Sequence, residues 1–476
     1  MNIHGSQAVR QRKRLMMGLA LIAVCAIGFA GGRFWVYVQN PIMDDPGFRN
    51  LSFAYDEIMD DYLEGADSRS LVNGAIEGMV GSLGDPYSVY LTEAKGEQFI
   101  QSYEDHFVGI GVTIREQDGE FVIEEAIKDA PAEKAGLKTG DVMLKVDGTP
   151  MKGMTLDKLM TLVRGQEGTE VKLQIRREGL AEPLELPVVR GAVPVHTVSF
   201  AMKEDGIGTI AINRFADKTG DEFDKAIEAL QAKGMKKLLL DLRSNPGGLL
   251  EPTIHIANRF VPKGKTIVQV VYKGEKRIIT HKSEQKEPWK LPVAILVDGN
   301  TASSAEVLTA ALKDTAGAVV IGEQTFGKGI VQQFRQLADG SVLKLTEAQW
   351  RSPDGQWIHK KGIEPTRVVK APAYTQLPRL PVGLKLQEGD YGERVETAQQ
   401  MLQVLGYITG EPPGIYNADT IKAVKAFQLS EGIPANGILN DRTAYRITTR
   451  LMEKYRAEDP QMLTAMEELR AAAAEE

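Results

Sequence analysis

Three short stretches hold residues whose types and spacing suit acyl-transfer chemistry. The stretch VAILVDGNTASSAEVLTAALKD (293–314) runs from an apolar strand through a polar turn into a helix, with Ser303 and Ser304 at the helix start. Serine is a favoured cap there. A hydroxyl at that point also lies beside unpaired backbone N–H groups and the positive end of the helix dipole, which can hold a developing oxyanion. A serine nucleophile needs a base. The six histidines are scattered, none in a comparable turn and none with HExxH spacing. Lys328 does occupy such a turn: TFGKGIVQ (325–332) is a Gly-flanked loop just after the apolar run GAVVIGE. An unperturbed lysine is neutral only ~0.04% of the time at pH 7, so Lys328 can act as a base only where burial lowers its pKa. The third stretch, LLLDLRSNPGG (238–248), ends a strand in Asn-Pro-Gly-Gly and exposes backbone N–H groups. Separately these are a helix cap, a solvated lysine and a tight turn. Jointly they supply nucleophile, base and oxyanion donor.

The elements that must position them alternate. In 205–370, GIGTIAI, KKLLLDLR, VAILVD and GAVVIGE are short apolar strands, each followed by a turn or a helix, which predicts an α/β core. Residues 47–95 read as helical, with Phe53, Ile58, Met59 and Tyr62 at helical spacing, and Gly84-Asp85-Pro86 breaks the pattern. Residues 105–190 read as a small β-rich module with one helix near 155–164 and a last strand at 170–176. A Pro-rich linker follows at 371–383. Residues 384–450 form a second small module with two amphipathic helices, and 451–476 a helical, acidic, Ala-rich tail.

Arg10, Arg12, Lys13 and Arg14 precede an uncharged, mostly apolar run at 15–30, and Phe34 to Val38 continue it after a Gly-Gly-Arg interruption. That pattern predicts a membrane anchor or signal over 15–38, with the basic tail 1–14 in the cytoplasm and the body outside. Cleavage of a signal peptide is the alternative. A lipoprotein reading through Cys25 is weaker, because Val24 precedes it. With one cysteine, no intrachain disulfide and no thiolate zinc site can form. The net charge of −7 argues against nucleic acid as partner.

DLRSNPGGLL, the TASSAE turn and TFGKGIVQ resemble, in order and spacing, the carboxyl-terminal processing peptidases, and the resemblance spans 47–370, including GSLGDPYSVYL (81–91). These are Ser-Lys endopeptidases with a PDZ domain inserted in a crotonase-like α/β core. The resemblance implies Ser303 as nucleophile, Lys328 as base, Gln332 as the residue orienting the lysine, and backbone N–H groups of Ser304 and of Gly247 or Gly248 as oxyanion donors, with no metal or other cofactor. The family usually reads Ser-Ala-Ser-Ala-Ser-Glu. Here Thr301-Ala302-Ser303-Ser304-Ala305-Glu306 stands instead, so Ser304 is an extra hydroxyl.

Residues 105–190 resemble a PDZ domain. FVGIGV (107–112) matches the loop that binds a peptide's terminal carboxylate, implying Phe107, Gly109, Ile110 and Gly111 as peptide-binding residues. Arg164 is a candidate relay to the active site. Residues 384–450 resemble a peptidoglycan-binding repeat. The expected partners are protein C-termini, the cell membrane, peptidoglycan and a second copy of the chain. The rival reading is a scaffold with an inactive core, against which intact Ser303, Lys328 and Gln332 argue.

Overall fold

The computed structural model describes residues 45–101, 103, 106–117 and 119–472. The basic cluster, the apolar run and Cys25 lie outside the described residues. The chain is multidomain α/β and divides after Thr92 into two compact units.

The first unit holds α1 (Pro46–Asp61) and α2 (Ser68–Gly81). Asp45 caps α1 with Pro46 in its first turn, and Asp67 caps α2 by accepting from Ser70 N at 2.8 Å. Tyr55 Oη donates to Ser68 Oγ at 2.7 Å and ties the two helices. The apolar residues expected on α1 are not a core: Phe53 is 65% exposed, and α1 has no buried residue.

In the second unit, α3 (Glu93–Gln101) leads into the PDZ module. Its strands are β1 (His106–Gly109), β2 (Val112–Gln117), β3 (Glu120–Ala126), β4 (Val142–Val146), β5 (Thr149–Pro150), β6 (Glu170–Arg176), β7 (Leu184–Val189) and β8 (Gly191–Pro194), with α4 (Leu156–Val163) between β5 and β6. The sheet order is β2-β3-β4-β6-β7, and β1 pairs with β8. Leu159 and Val163 of α4 close over Ile123, Met143, Leu173 and Ile175.

The core sheet runs β9 (Val198–Met202), β10 (Ile207–Ile212), β11 (Lys237–Asp241), β14 (Val293–Val297), β15 (Val319–Gly322) and β18 (Arg367–Val368), parallel from β10 onward. Between β11 and β14 lie β12 (Thr266–Tyr272) and β13 (Ile278–Lys282). Between β15 and β18 lie β16 (Ile330–Gln336) and β17 (Val342–Arg351). These four belong to a separate sheet and run antiparallel to their partners among them: β17 pairs with both β16 and β12, and β12 with β13. The sequence did not announce this second sheet.

Consecutive leucines in β11 face opposite ways, so both faces of the parallel sheet need cover. Leu238 and Leu240 pack with α5 (Thr219–Ala232), α6 (Leu250–Ala257) and α7 (Ser304–Ala316). Leu239 packs against Ala465 and Leu469 of the last helix.

The C-terminal module contains α8 (Glu393–Val404), α9 (Ala418–Ser430) and the start of α10 (Asp441–Glu458), which runs across the expected boundary at 450. Three helices stand where two were expected. The final helix, α11 (Pro460–Ala472), lies in the segment read as a helical acidic tail, and it covers the second face of the core sheet. The Pro-rich linker is packed too, with Tyr374, Leu377 and Leu380 against the module's core. No helix among the described residues is long and apolar enough to cross a membrane, and the expected anchor at 15–38 lies outside them.

Candidate active site

The three stretches meet at the carboxyl ends of the adjacent parallel strands β11, β14 and β15, the edge where open α/β sheets place their sites. β11 ends in the turn 242–249. The Asn245 side chain shapes it, donating to Ile212 O and accepting from Gly247 N, both at 2.8 Å. Gly247 and Gly248 have φ of 96° and 147°. A Cβ on Gly247 would lie 2.7 Å from Ala302 O, and one on Gly248 would lie 2.0 Å from Phe215 O. Only glycine lets this turn close against its neighbours.

β14 ends in the turn that holds Ser303. Ala302 N donates to Asn245 O at 2.9 Å, and Thr301 Oγ donates to Leu242 O at 2.9 Å, so this turn is stitched to the glycine turn. Ser303 has φ 54° and ψ −118°. For a residue with a Cβ such a conformation costs about 1–3 kcal/mol and clusters at functional sites. The extra hydroxyl of Ser304 is committed: it donates to Gly248 O at 2.9 Å, and Ser304 is 5% exposed. Ser303 and Lys328 are partly exposed and line the same cleft of about 520 Å³, together with Ser304, Gly248 and Gln332.

β15 leads into the Lys328 loop. A Cβ on Gly327 would lie 2.7 Å from Gly362 N, and one on Gly329 2.6 Å from His359 N. The flanking glycines therefore permit the close packing expected of them. Trp350 Nε1 donates to Lys328 O at 2.9 Å, and Trp357 Nε1 to Gly329 O at 2.7 Å. Gln332 follows on β16, opposite Thr346, at an irregularity in the β16–β17 register.

One residue not singled out from the sequence organises both turns. Glu306 is fully buried on α7. Its Oε2 accepts from the backbone N–H groups of Ser303 and Lys328, each at 2.8 Å, and its Oε1 accepts from Thr325 Oγ and Gly327 N. Ser303-x-x-Glu306 fits the capping-box pattern, a signal that could have found it. Burial pushes the Glu306 carboxyl above the usual carboxylate range, against the pull of its four donors. Burial likewise lowers the Lys328 amine below the ordinary lysine range; Lys344 adds to the fall and Glu306 opposes it. The Glu306 carboxylate bonds the backbone N–H of Lys328.

Of the two glycines offered as oxyanion donors, Gly247 already gives its N–H to Asn245, which leaves Gly248 as the candidate alongside Ser304 at the helix start. Among the described residues no cluster of His, Cys, Asp and Glu stands ready to hold a metal ion.

The PDZ residues lie apart from this cleft. Gly111 has φ 76°, and a Cβ there would lie 2.3 Å from the Ala130 Cβ. Ile110 is buried in the module's own core rather than open to a ligand, and its carbonyl accepts from Ala132 N at 2.7 Å. Phe107 is half-buried on β1, with Gly109 at its end. β2, which follows, is the terminal strand of its sheet. Arg164 is exposed at the end of α4 and lines a groove with Gln98 of α3. The buried cation at that helix end is Arg190, which donates to the carbonyls of Leu162 and Val163.

Comparison with known proteins shows the family. Peptidase family S41 matches residues 206–369, the PDZ domain family 122–177, the activating protease CtpB N-terminal domain 39–95 and a peptidoglycan binding domain 391–447. The carboxy-terminal processing protease CtpA of Bacillus subtilis (strain 168) is 42% identical over 427 residues, spanning 90% of this chain and 91% of that relative. The carboxy-terminal processing protease CtpB of the same organism is 36% identical over 435 residues, 89% of each chain. The solved structure of a photosystem II D1 C-terminal processing protease is 28% identical and covers 66% of this chain and 84% of its own, with a TM-score of 0.40. The chain belongs to peptidase family S41 and is a serine peptidase of the carboxy-terminal processing type.

Proposed function

We propose that this protease works outside the cytoplasm, tethered by residues 15–38, and cleaves proteins selected through their C-termini, with Ser303 as nucleophile, Lys328 as base and Gln332 as its orienting partner. The observation that carries the catalytic assignment is the Glu306 carboxylate, which binds the backbone of Ser303 and of Lys328 through one oxygen while both side chains line one cleft. Neutral Lys328 takes the Ser303 proton as the hydroxyl oxygen bonds to the substrate carbonyl carbon. The oxyanion lies between the N–H groups of Ser304 and Gly248, each worth ~3–4 kcal/mol. The C–N bond then breaks, and Lys328 returns the proton to the leaving amine. Water, deprotonated by the same lysine, releases the acyl group.

The position of β2 as the terminal strand of its sheet among the described residues, beside the glycine-containing loop, supports capture of an extended peptide end by strand addition. Arg164, next to Gln98 on α3, is the proposed relay, since Phe99 one residue on lines the catalytic cleft. The exposed apolar residues of α1 support a homodimer, and the C-terminal module supports a peptidoglycan contact. The test is cleavage of an unfolded protein such as casein. Ser303→Ala and Lys328→Ala each lose turnover while circular dichroism shows the fold intact. Normal turnover in Lys328→Ala sinks the base assignment.

A further inference from the structure

The cleft contains a second lysine for which the mechanism has no use. Lys344 lies on β17, directly opposite Phe334 of β16. Its Nζ stands 5.3 Å from the centre of the Phe99 ring. Phe99, Tyr103 and Phe334 pack on one another with ring centres 5.2–5.8 Å apart, and all three line the cleft with Ser303 and Lys328. An ammonium on an aromatic face is held there by the ring's quadrupole. Lys344 is half-buried and lines the same cleft as Ser303 and Lys328.

We propose that Lys344 is a positioning residue for the base: its ammonium, fixed in the cleft wall by the Phe99 ring and the β16–β17 hairpin, disfavours a second positive charge on Lys328 and keeps that amine free to accept the serine proton. The proposal rests on the Ser303–Lys328 reading above. Repulsion between like charges in a partly desolvated cleft is far stronger than in water. The other ionisable groups facing the cleft are Glu306 from α7, Glu251 from α6, His281 from β13, Tyr272 from β12 and Tyr103 after α3. Glu306 pulls the other way, towards a charged lysine, and Lys344 is the cation among them that opposes it. The ordinary alternative is that Lys344 merely packs on Phe99, a role in which its stem matters and its charge does not.

The experiment is the pH–rate profile of the full chain on a quenched peptide, for the parent, Lys344→Gln, Lys344→Arg and Lys328→Ala. With the like charge gone, Lys328 holds its proton to higher pH. The acid limb of Lys344→Gln therefore moves to higher pH, and its rate at the parent's midpoint falls about twofold or more. Lys344→Arg moves the limb back. The gap between parent and Lys344→Gln narrows as salt screens the repulsion. If glutamine unfolds the chain, Lys344→Met serves as the neutral variant. Superimposable limbs for parent and neutral variant overturn the proposal, as does an arginine variant that behaves like glutamine. An active Lys328→Ala overturns the underlying dyad instead, so the two failures are distinct.

Discussion

Ser303 is held in a conformation its own side chain disfavours, and the bonds around it explain how that is sustained. Glu306 binds its N–H, Asn245 O binds the N–H before it, and Ser304 anchors the next residue to Gly248 O. Ser304→Ala removes one such hydrogen bond, worth about 1 kcal/mol. Turnover should fall less than tenfold, whereas Ser303→Ala should abolish it; kcat measured on casein separates the two, and the opposite result moves the nucleophile by one residue. Gly248→Ala should be as damaging as loss of the nucleophile, since its Cβ would overlap Phe215 O at 2.0 Å and the oxyanion turn could not close. Glu306→Ala leaves four donors without their acceptor and should cost about 3 kcal/mol or more in urea unfolding. The pH dependence follows from the lysine. Its charged form is disfavoured by burial, so Lys328 loses its proton below the ordinary lysine range, and kcat/KM should climb as pH rises through that point. A profile that falls over the same range would refute the neutral-amine mechanism.

At the scale of elements, the last helix changes what counts as the protease core. Leu469 is 2% exposed and packs with Ala465 against Ile207, Leu239, Leu296 and Ile321. Leu469→Ala should cost about 2–4 kcal/mol, read as a lowered urea midpoint, although the residue lies far along the chain from Ser303. Arg243 ties the same region to the Asn245–Gly248 turn: two residues before Asn245, it pairs with Asp241 and Asp459 and donates to Gln461 and to Tyr455 Oη. None of this was legible in the sequence. An Ala-rich acidic tail carries no local signal that it covers a sheet face, because the partners are set by long-range packing. The parallel strands were legible, since runs such as LLLDL are apolar on both faces and end in turn residues. The second sheet was not: IVQQFRQ and VLKLTEAQWR mix polar and apolar positions without a clean period, as their half-buried residues show. The proposed catalytic residues stood out through three short motifs. Glu306 hid within one of them, because a carboxylate in a helix's first turn reads equally well as a dipole partner.

At the scale of the whole molecule, the second unit joins its modules through specific contacts. Tyr445 of α10 donates to Glu124 on β3 at 2.8 Å, and the Arg115 guanidinium of β2 lies 3.7 Å from the centre of the same ring. β2 is the strand that an incoming peptide would extend, so the C-terminal module braces the proposed peptide-binding edge from the side. At its other end α10 passes into Asp459, which pairs with Arg243 beside the Asn245–Gly248 turn. Tyr445→Ala removes a hydrogen bond and a cation–π contact, each worth about 1 kcal/mol, without touching the cleft. If β2 receives the substrate's C-terminus, the loss should appear in KM for long substrates with a free C-terminal carboxylate and leave kcat on a short quenched peptide unchanged. Amidating the long substrate's C-terminus should raise KM in the parent, and Tyr445→Ala should then add little, because both changes weaken the same step. Equal KM values for acid and amide substrates would remove the PDZ edge from substrate selection. An effect of Tyr445→Ala on the short peptide would instead show that the brace acts on the catalytic turn through α10 and Arg243.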